Sequence, residues 1–399
     1  MVLMGRVWWF GLARGLSMVG DAAWALAVTW LIMDDGGPGV VGMYLAVCAA
    51  VTSVLMVPAS RLVGRLGIWR AMVCSDAVGF LVLLAAWGGV LQGLPRVWVL
   101  ASTGVVLALL AAVYRPSSSA FLQQIAPEGD LTRAMGVRQL SNAAGGVLGA
   151  AVGGVVLAAG GLTWIVVFNA VTFLASMAIV LCLPRVVAER PEEAAGSPSV
   201  RESLGMVLRH PLRRWLVLRG FALNLAGMAL LSVVLVARVQ ERGWGAGYYG
   251  VAEATLAFAT IVTGVVVSRW RSPEHVGQAG TWGSLGAVLC VVGACLAISR
   301  PATLVLLFLA GGFLVLGSVY SDSLLFGSVG QRSMVALHAV VMALSTIGIP
   351  VGQALAGAAL ELWGGVPVIT AAGVLLTGVC LGSLAVPEIR TAQASERTA

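Results

Sequence analysis

The sequence contains no lysine, only three histidines, and charged residues at just 10% of its 399 positions. Each shortage removes a class of function. Without lysine there is no Walker A phosphate cradle, which excludes ATP hydrolysis by this chain. His210, His275 and His338 are scattered and give no metal-ligand spacing, and the serines of PSSSA (116–120) stand in no nucleophile-elbow pattern. No catalytic residue, cofactor or metal is therefore expected, and the chain does not read as an enzyme. The six cysteines, Cys48, Cys74, Cys182, Cys290, Cys295 and Cys380, all fall inside apolar runs without a CxxC pair and read as small core residues. All 24 basic residues are arginines and none lies in a dense cluster, so the formal charge of +7 does not describe a nucleic-acid partner.

What remains is apolar. Hydrophobic residues make up 59% of the chain, and a mean hydropathy of +0.97 exceeds what one anchor of about 20 residues contributes. Apolar runs long enough to cross a bilayer fall at 7–33, 39–60, 71–91, 97–115, 136–158 and 164–184, and then at 214–237, 247–268, 277–298, 302–325, 334–360 and 365–387. The first run is too long for the apolar core of a secretory signal and is read as a span. The expectation is an all-α integral membrane protein with twelve transmembrane helices, its partner the lipid bilayer.

Arginines in short loops stay cytoplasmic. With the amino terminus inside, eighteen arginines fall on that side and only Arg96, Arg238, Arg242 and Arg300 outside. Both termini and the long middle loop are thus expected in the cytoplasm. The reading divides the chain into an N-terminal six-helix bundle (1–184), a cytoplasmic linker (185–213), a C-terminal six-helix bundle (214–387) and a cytoplasmic tail (388–399). The linker carries Pro191, Pro198 and Pro211, and its stretch VRESLGMVLRHPLRR reads as an amphipathic helix on the membrane surface. The halves echo one another: Val113-Tyr114 before PSSSAF answers Val319-Tyr320 before SDSLLF, and GAAVGG (149–154) answers GQALAG (352–357). Such internal repeats are how many secondary transporters are built, and they make the two bundles pseudo-symmetric.

Six plus six spans, a linker between them and a basic loop after the second span resemble the major facilitator superfamily over essentially the whole chain. In that family the loop carries G-x-x-x-D-R-x-G-R-R, whose charges lock one closed state; the stretch here is SRLVGRLGIWR. Arg65 and Gly67 match, Gly64 replaces the Asp, and Arg70 lies just beyond the pair replaced by Ile68-Trp69. Asp76 is either the missing carboxylate for Arg65 or Arg70, which would make the three a gate, or an acid near a helix start favoured by the dipole. Gly145, Gly149, Ala150, Gly153 and Gly154 resemble the G-x-x-x-G-P-x-x-G-G pattern of exporters, with Ala150 for the Pro; glycines so spaced let helices pack closely and slide. Gly352 belongs to the related stretch in the eleventh span. LARGLSMVGDAAWALAVTW (12–30), YRPSSSAFLQQIAPEGDLTRAMGVRQLS (114–141) and VVFNAVTF (166–173) resemble the branch of macrolide-efflux proteins and siderophore exporters, with Met135 where an Asn is typical. That resemblance implies a drug:proton antiporter in a bacterial cytoplasmic membrane and a role in antibiotic resistance.

A charge at membrane depth costs about 2.5–3.5 kcal/mol on insertion scales, so each one should face a cavity or a partner. Asp21 lies about 22 Å beyond Arg6 along a helix. Arg14, about 10 Å back on the same face, and Trp24 complete a stripe expected to line a central cavity. Asp21 is read either as a proton or cation site or as a structural acid bonded to a neighbouring helix. Glu253, about two turns into the eighth span, is read either as a second proton carrier or as a buried acid held neutral, since desolvation disfavours the charged form. Asn142 and Asn224 are candidate substrate contacts, and Asn169 likewise, with inter-helix bonding as the alternative for each. Arg115 and Asp322 stand at corresponding places in the two halves and could form a gate, though snorkelling is the ordinary reading for them and for Arg138 and Arg219. The resulting expectation is a secondary active transporter, a proton-coupled exporter of an amphiphilic small molecule, working as a monomer. The alternatives are a carrier that takes up or flips a lipid-like substrate, and a non-transporting sensor or scaffold.

Overall fold

The computed structural model describes residues 2–126, 131–184, 200–269, 273–327 and 331–390. The expectations for residues 185–199 and for the tail beyond 390 lie outside them, as does the side chain of His338. Every regular element among the described residues is helical, as the long apolar runs require: backbone polar groups in hydrocarbon must be satisfied within the segment.

Ten stretches are long and apolar enough to cross a membrane, two fewer than the twelve apolar runs of the sequence. The difference lies in α1 (Val2–Leu66) and α4 (Leu131–Cys182), unbroken except at Gly37 (φ 79°) and Gly161 (φ 64°). Only glycine adopts that backbone at little cost, and at both points the chain turns back. Arg14 and Thr52 line one cavity, although a straight helix would hold them roughly 57 Å apart. A Cβ on Gly149 would press on Val19, while the next residue, Gly20, faces Asn169 and Thr172; α4 thus passes the middle of α1 twice. Each long element is two crossings joined by a one-residue turn, which restores twelve.

The described chain packs as two compact units, Met1–Arg190 with Val239–Ala254, and Pro191–Arg238 with Thr255–Ala399. The first contains α1, α2 (Ile68–Leu91), α3 (Arg96–Ile125) and α4. Its core gathers Phe10, Met72, Phe121, Leu122 and Val180, with the Phe10 and Phe121 ring centroids 5.1 Å apart. At one end Arg96 clamps the Gly37 turn through two 2.6 Å hydrogen bonds to the Asp35 carboxylate.

In the second unit α5 (Val200–Arg209) precedes α6 (Pro211–Ala222). The linker sequence forms a helix over the first part of the expected stretch, with Ser203 and Val207 buried, Val207 in a core with Leu212, Leu216, Leu337 and Val341, and Leu208 exposed. After α6 come two single-turn π segments, Leu223–Gly227 and Leu230–Val234, and then α7 (Leu235–Glu241). α8 (Gly245–Val267) passes from the first unit to the second, followed by α9 (Val276–Leu296) and α10 (Arg300–Gly327). The expected eleventh span is two helices, α11 (Gln331–Thr346) and α12 (Gly348–Trp363), interrupted at Ile347. Pro350 has no N–H for the carbonyl four residues before it, which breaks the ladder there. α13 (Gly365–Leu384) and the short α14 (Pro387–Arg390) complete the unit.

The repeat seen in the sequence is also a repeat in packing. A Cβ on Gly145 would meet the Gly15 carbonyl at 2.8 Å and the Val19 amide at 3.4 Å, and one on Gly348 the Phe221 carbonyl at 2.7 Å and the Leu225 amide at 3.0 Å. One turn on, Gly149 abuts the Val19 carbonyl and Gly352 the Leu225 carbonyl. The same glycine crossing is therefore made once in each unit, against α1 and against the helix that begins at Pro211.

Candidate functional site: a charged cavity in the first unit

The two arms of α1, together with α2, α3 and Phe173 of α4, surround a cavity of about 350 Å³. Most of its wall is apolar, as spans rich in Ala, Leu and Val dictate. Set into that wall are two carboxyls, Asp21 and Asp76, and two guanidiniums, Arg14 and Arg115. The stripe expected on α1 is present: Arg14, Asp21 and Trp24 all line the space.

Arg14 is 8% exposed and held on three sides. Its Nε donates to Asn142 Oδ1 at 2.9 Å, one terminal nitrogen approaches Met18 Sδ at 3.0 Å, and the guanidinium lies 5.3 Å from the Tyr114 ring centroid. A hydrogen bond from a charged donor contributes about 1.5–3 kcal/mol, and a desolvated cation over an aromatic face about 2 kcal/mol. The guanidinium is thereby fixed without an ion pair to any described carboxylate. Asn142, read as a substrate contact or an inter-helix partner, makes the inter-helix bond: it holds Arg14 from α4 and is not among the residues lining this cavity.

Asp21 makes no hydrogen bond or ion pair with any described residue and faces the open space. Trp24, one turn further and 3% exposed, has an indole N–H without an acceptor. Asp76 is 2% exposed and accepts a 2.9 Å hydrogen bond from the Ser176 hydroxyl. It is not paired with Arg65 or Arg70. Both arginines are exposed, and Arg70 lies six residues before Asp76, about 9 Å along α2, so the missing carboxylate of the degraded loop motif is not supplied from Asp76 in this structure. Arg115 lines the first cavity and is exposed, whereas Asp322 lines a cavity in the second unit.

Glu253 does not join the site. It sits on the part of α8 that belongs to the first unit, beside Tyr249 one turn earlier, and does not line the charged cavity. Tyr249 stacks toward Trp30 with centroids 6.1 Å apart, and Gln240 Nε2 donates to the Trp30 carbonyl at 3.0 Å. Asn224 lines the cavity of the second unit together with Arg219. Arg219 does not snorkel as expected: it is 2% exposed, donating to Thr281 Oγ1 at 2.7 Å and Ser321 Oγ at 2.5 Å. Of the remaining glycines, Gly153 rests on Ala23 and Gly154 on Gly250, where an added Cβ would meet Cα atoms at 2.6 and 2.9 Å. Among the described residues no three His, Cys, Asp or Glu side chains converge to hold a metal ion.

Tyr44, Ser75 and Tyr114, which line the cavity from three different helices, were not singled out as site residues in the sequence. Only Tyr114 left a trace there, as one half of the repeat with Tyr320.

A helical chain of apolar spans with a charged cavity of this kind has a definite parallel. Residues 10–352 match the family model described as Major Facilitator Superfamily. The chain belongs to the major facilitator superfamily. It is thus a multi-pass membrane protein of a transporter superfamily, not an enzyme in the usual sense. A search of curated proteins finds no match to the sequence. Similar solved structures include the nucleoside transporter NupG (TM-score 0.72, 9% identity, 96% of this chain and 99% of that one). A bacterial homologue of the iron transporter ferroportin, in an inward-facing state, gives 0.71 at 16% identity over 95% and 98%. A D-xylose-proton symporter gives 0.69 at 13% identity over 98% and 99%. At such identities the likeness is one of fold, and it extends over nearly the full length of each chain.

Proposed function

We propose that this member of the superfamily is a proton-coupled exporter of an amphiphilic small molecule, of the kind handled by macrolide-efflux proteins and siderophore exporters. The observation that carries the reading is the Asp21 carboxyl, unpartnered among the described residues, on a mainly apolar cavity whose other charges are Arg14, Arg115 and Asp76. A carboxyl that meets either a proton or a ligand's polar group can exchange one for the other. The Trp24 N–H and the apolar wall suit a bulky ligand with few polar groups better than a sugar or a phosphate ester. The export direction rests on the glycine pattern 145–154, which lines up with the pattern of exporters. In this reading the bundles 1–184 and 214–387, joined by 185–213, move relative to one another, and the glycine crossings let helices slide within each bundle. Arg65, Arg70, Asp76, Arg115 and Asp322 act in gating, with both termini in the cytoplasm of a bacterium and the monomer as the working unit.

The test is accumulation of hydrophobic drugs and dyes in an efflux-deficient bacterium expressing the chain, with and without an uncoupler. Lower accumulation that disappears with the uncoupler and in Asp21→Asn is the expected result. Accumulation that falls equally with an uncoupler present excludes proton coupling and favours a carrier for lipid-like substrates. A chain that alters nothing, and shows no ligand-dependent change in conformation, is the sensor or scaffold.

A further inference from the structure

The second unit holds a guanidinium that pairs with no carboxylate of the described residues. Arg219 is the bulkiest fully buried side chain among the described residues, and its hydrogen bonds to them go to neutral hydroxyls. Its two partners, Thr281 Oγ1 and Ser321 Oγ, are neutral and already committed: Thr281 donates to the Gly277 carbonyl at 3.0 Å and Ser321 to the Gly317 carbonyl. Both hydroxyls therefore serve the guanidinium only as acceptors, and they use two of its five N–H donors. An unpaired cation at membrane depth is among the costliest groups a helical protein can bury.

Beside it is a cavity of about 240 Å³, lined by Arg219, the Asn224 amide and the Ser345 hydroxyl among apolar side chains such as Leu223, Leu314 and Met342. Neither Asn224 nor Ser345 hydrogen-bonds through its side chain to any described residue, so both polar groups are available to a ligand. Asp322 lines the same space. The packing repeat makes the contrast with the first unit plain. Val19 and Leu225 occupy equivalent places, which sets Arg14 one residue from the equivalent of Arg219 and puts Gly227 where the first unit has Asp21. The second cavity keeps the buried arginine and drops that carboxyl.

We infer that this cavity is a binding site for a small organic carboxylate, its carboxylate on Arg219 and its apolar body against Leu223, Leu314 and Met342. Arginine presents a planar fork that matches a carboxylate in two parallel bonds. Asn224 and Ser345 supply further donors, and the cavity holds a ligand of roughly eight non-hydrogen atoms at about 30 Å³ each. The inference does not rest on proton-coupled export, because it concerns binding in the other unit.

The experiment is equilibrium binding of radiolabelled benzoate to the purified full-length chain, with benzamide as the uncharged competitor. Saturable benzoate binding is expected, with benzamide weaker by roughly tenfold to a hundredfold, the range of a charge-assisted bond. Arg219→Gln should lose that binding and Asn224→Ala should weaken it several-fold, while Asp21→Asn, which abolishes export in the proposed function, should leave it unchanged. Equal competition by benzamide, undiminished binding in Arg219→Gln, or no saturation by about 10 mM each overturns the assignment. The comparison of benzoate with benzamide on the unaltered chain stands even if a variant fails to fold.

Discussion

Replacing Gly149 by alanine adds one methyl group at a close backbone approach of the α1–α4 crossing. Its Cβ would stand 2.5 Å from the Val19 carbonyl oxygen and 2.7 Å from Ala22 Cβ, where ordinary contact begins near 3.4 Å. Neither obstacle is the end of a flexible side chain, so the helices themselves have to part by most of an ångström. Overpacking of this kind costs about 1–3 kcal/mol, which for a unit of this size lowers the unfolding midpoint by roughly 2–12 °C. Gly136 is the control on the same helix: a Cβ there meets nothing within 4 Å. Alanine at that position should be neutral or stabilise by about 0.5–1 kcal/mol through its better helix propensity. Thermal denaturation of the detergent-purified chain, followed by loss of the monodisperse species, separates the two. A Gly149→Ala protein that melts with the wild type, or a Gly136→Ala protein that melts well below it, refutes the close-crossing argument.

Asn142→Ala removes the acceptor that holds Arg14 Nε and should weaken ligand affinity in the first cavity by about tenfold, the lower end for a bond to a charged group; unchanged affinity would show that Arg14 needs no such support. Asp35→Asn breaks an ion pair whose side chains are 37% and 30% exposed and should cost no more than about 1 kcal/mol, a prediction that a larger drop in melting temperature contradicts. Glu253→Gln should leave binding in the first cavity intact, because Glu253 does not line it; a loss equal to that of Asp21→Asn would place the residue in the site after all. In a chain retaining Cys48 as its one cysteine, substrate should slow maleimide labelling of that thiol, which lines the cavity half-buried. Labelling that ignores substrate would mean the ligand binds elsewhere.

The fold was legible because hydrocarbon imposes a coarse rule: about 20 apolar residues per crossing, with glycine where the chain must reverse. The gaps at 34–38 and 159–163 in the apolar pattern contain the two turn residues, Gly37 and Gly161. The interruption at Ile347 escaped because an apolar run continues through it, and only the missing N–H of Pro350 marks the break. In the site, Arg14, Asp21 and Trp24 were readable together because one helix carries them at a regular spacing. Asn142 and Asp76 were recognised as important residue types with their roles left open, because their partners Arg14 and Ser176, 128 and 100 residues away, become adjacent only through packing. Arg219 was misread for a related reason. Its position near the linker suggested an interfacial side chain, and its partners Thr281 and Ser321 lie on α9 and α10.

In the proposed mechanism Asp21 exchanges a proton for substrate on the cavity of the first unit. The most direct test uses purified chain in proteoliposomes with an imposed pH gradient and a dye identified by the accumulation assay, reading dye and proton movement together. Uphill dye transport with opposite proton flux is expected in the wild type and neither in Asp21→Asn, while dye still binds. Gradient-driven transport that survives Asp21→Asn undiminished would contradict it.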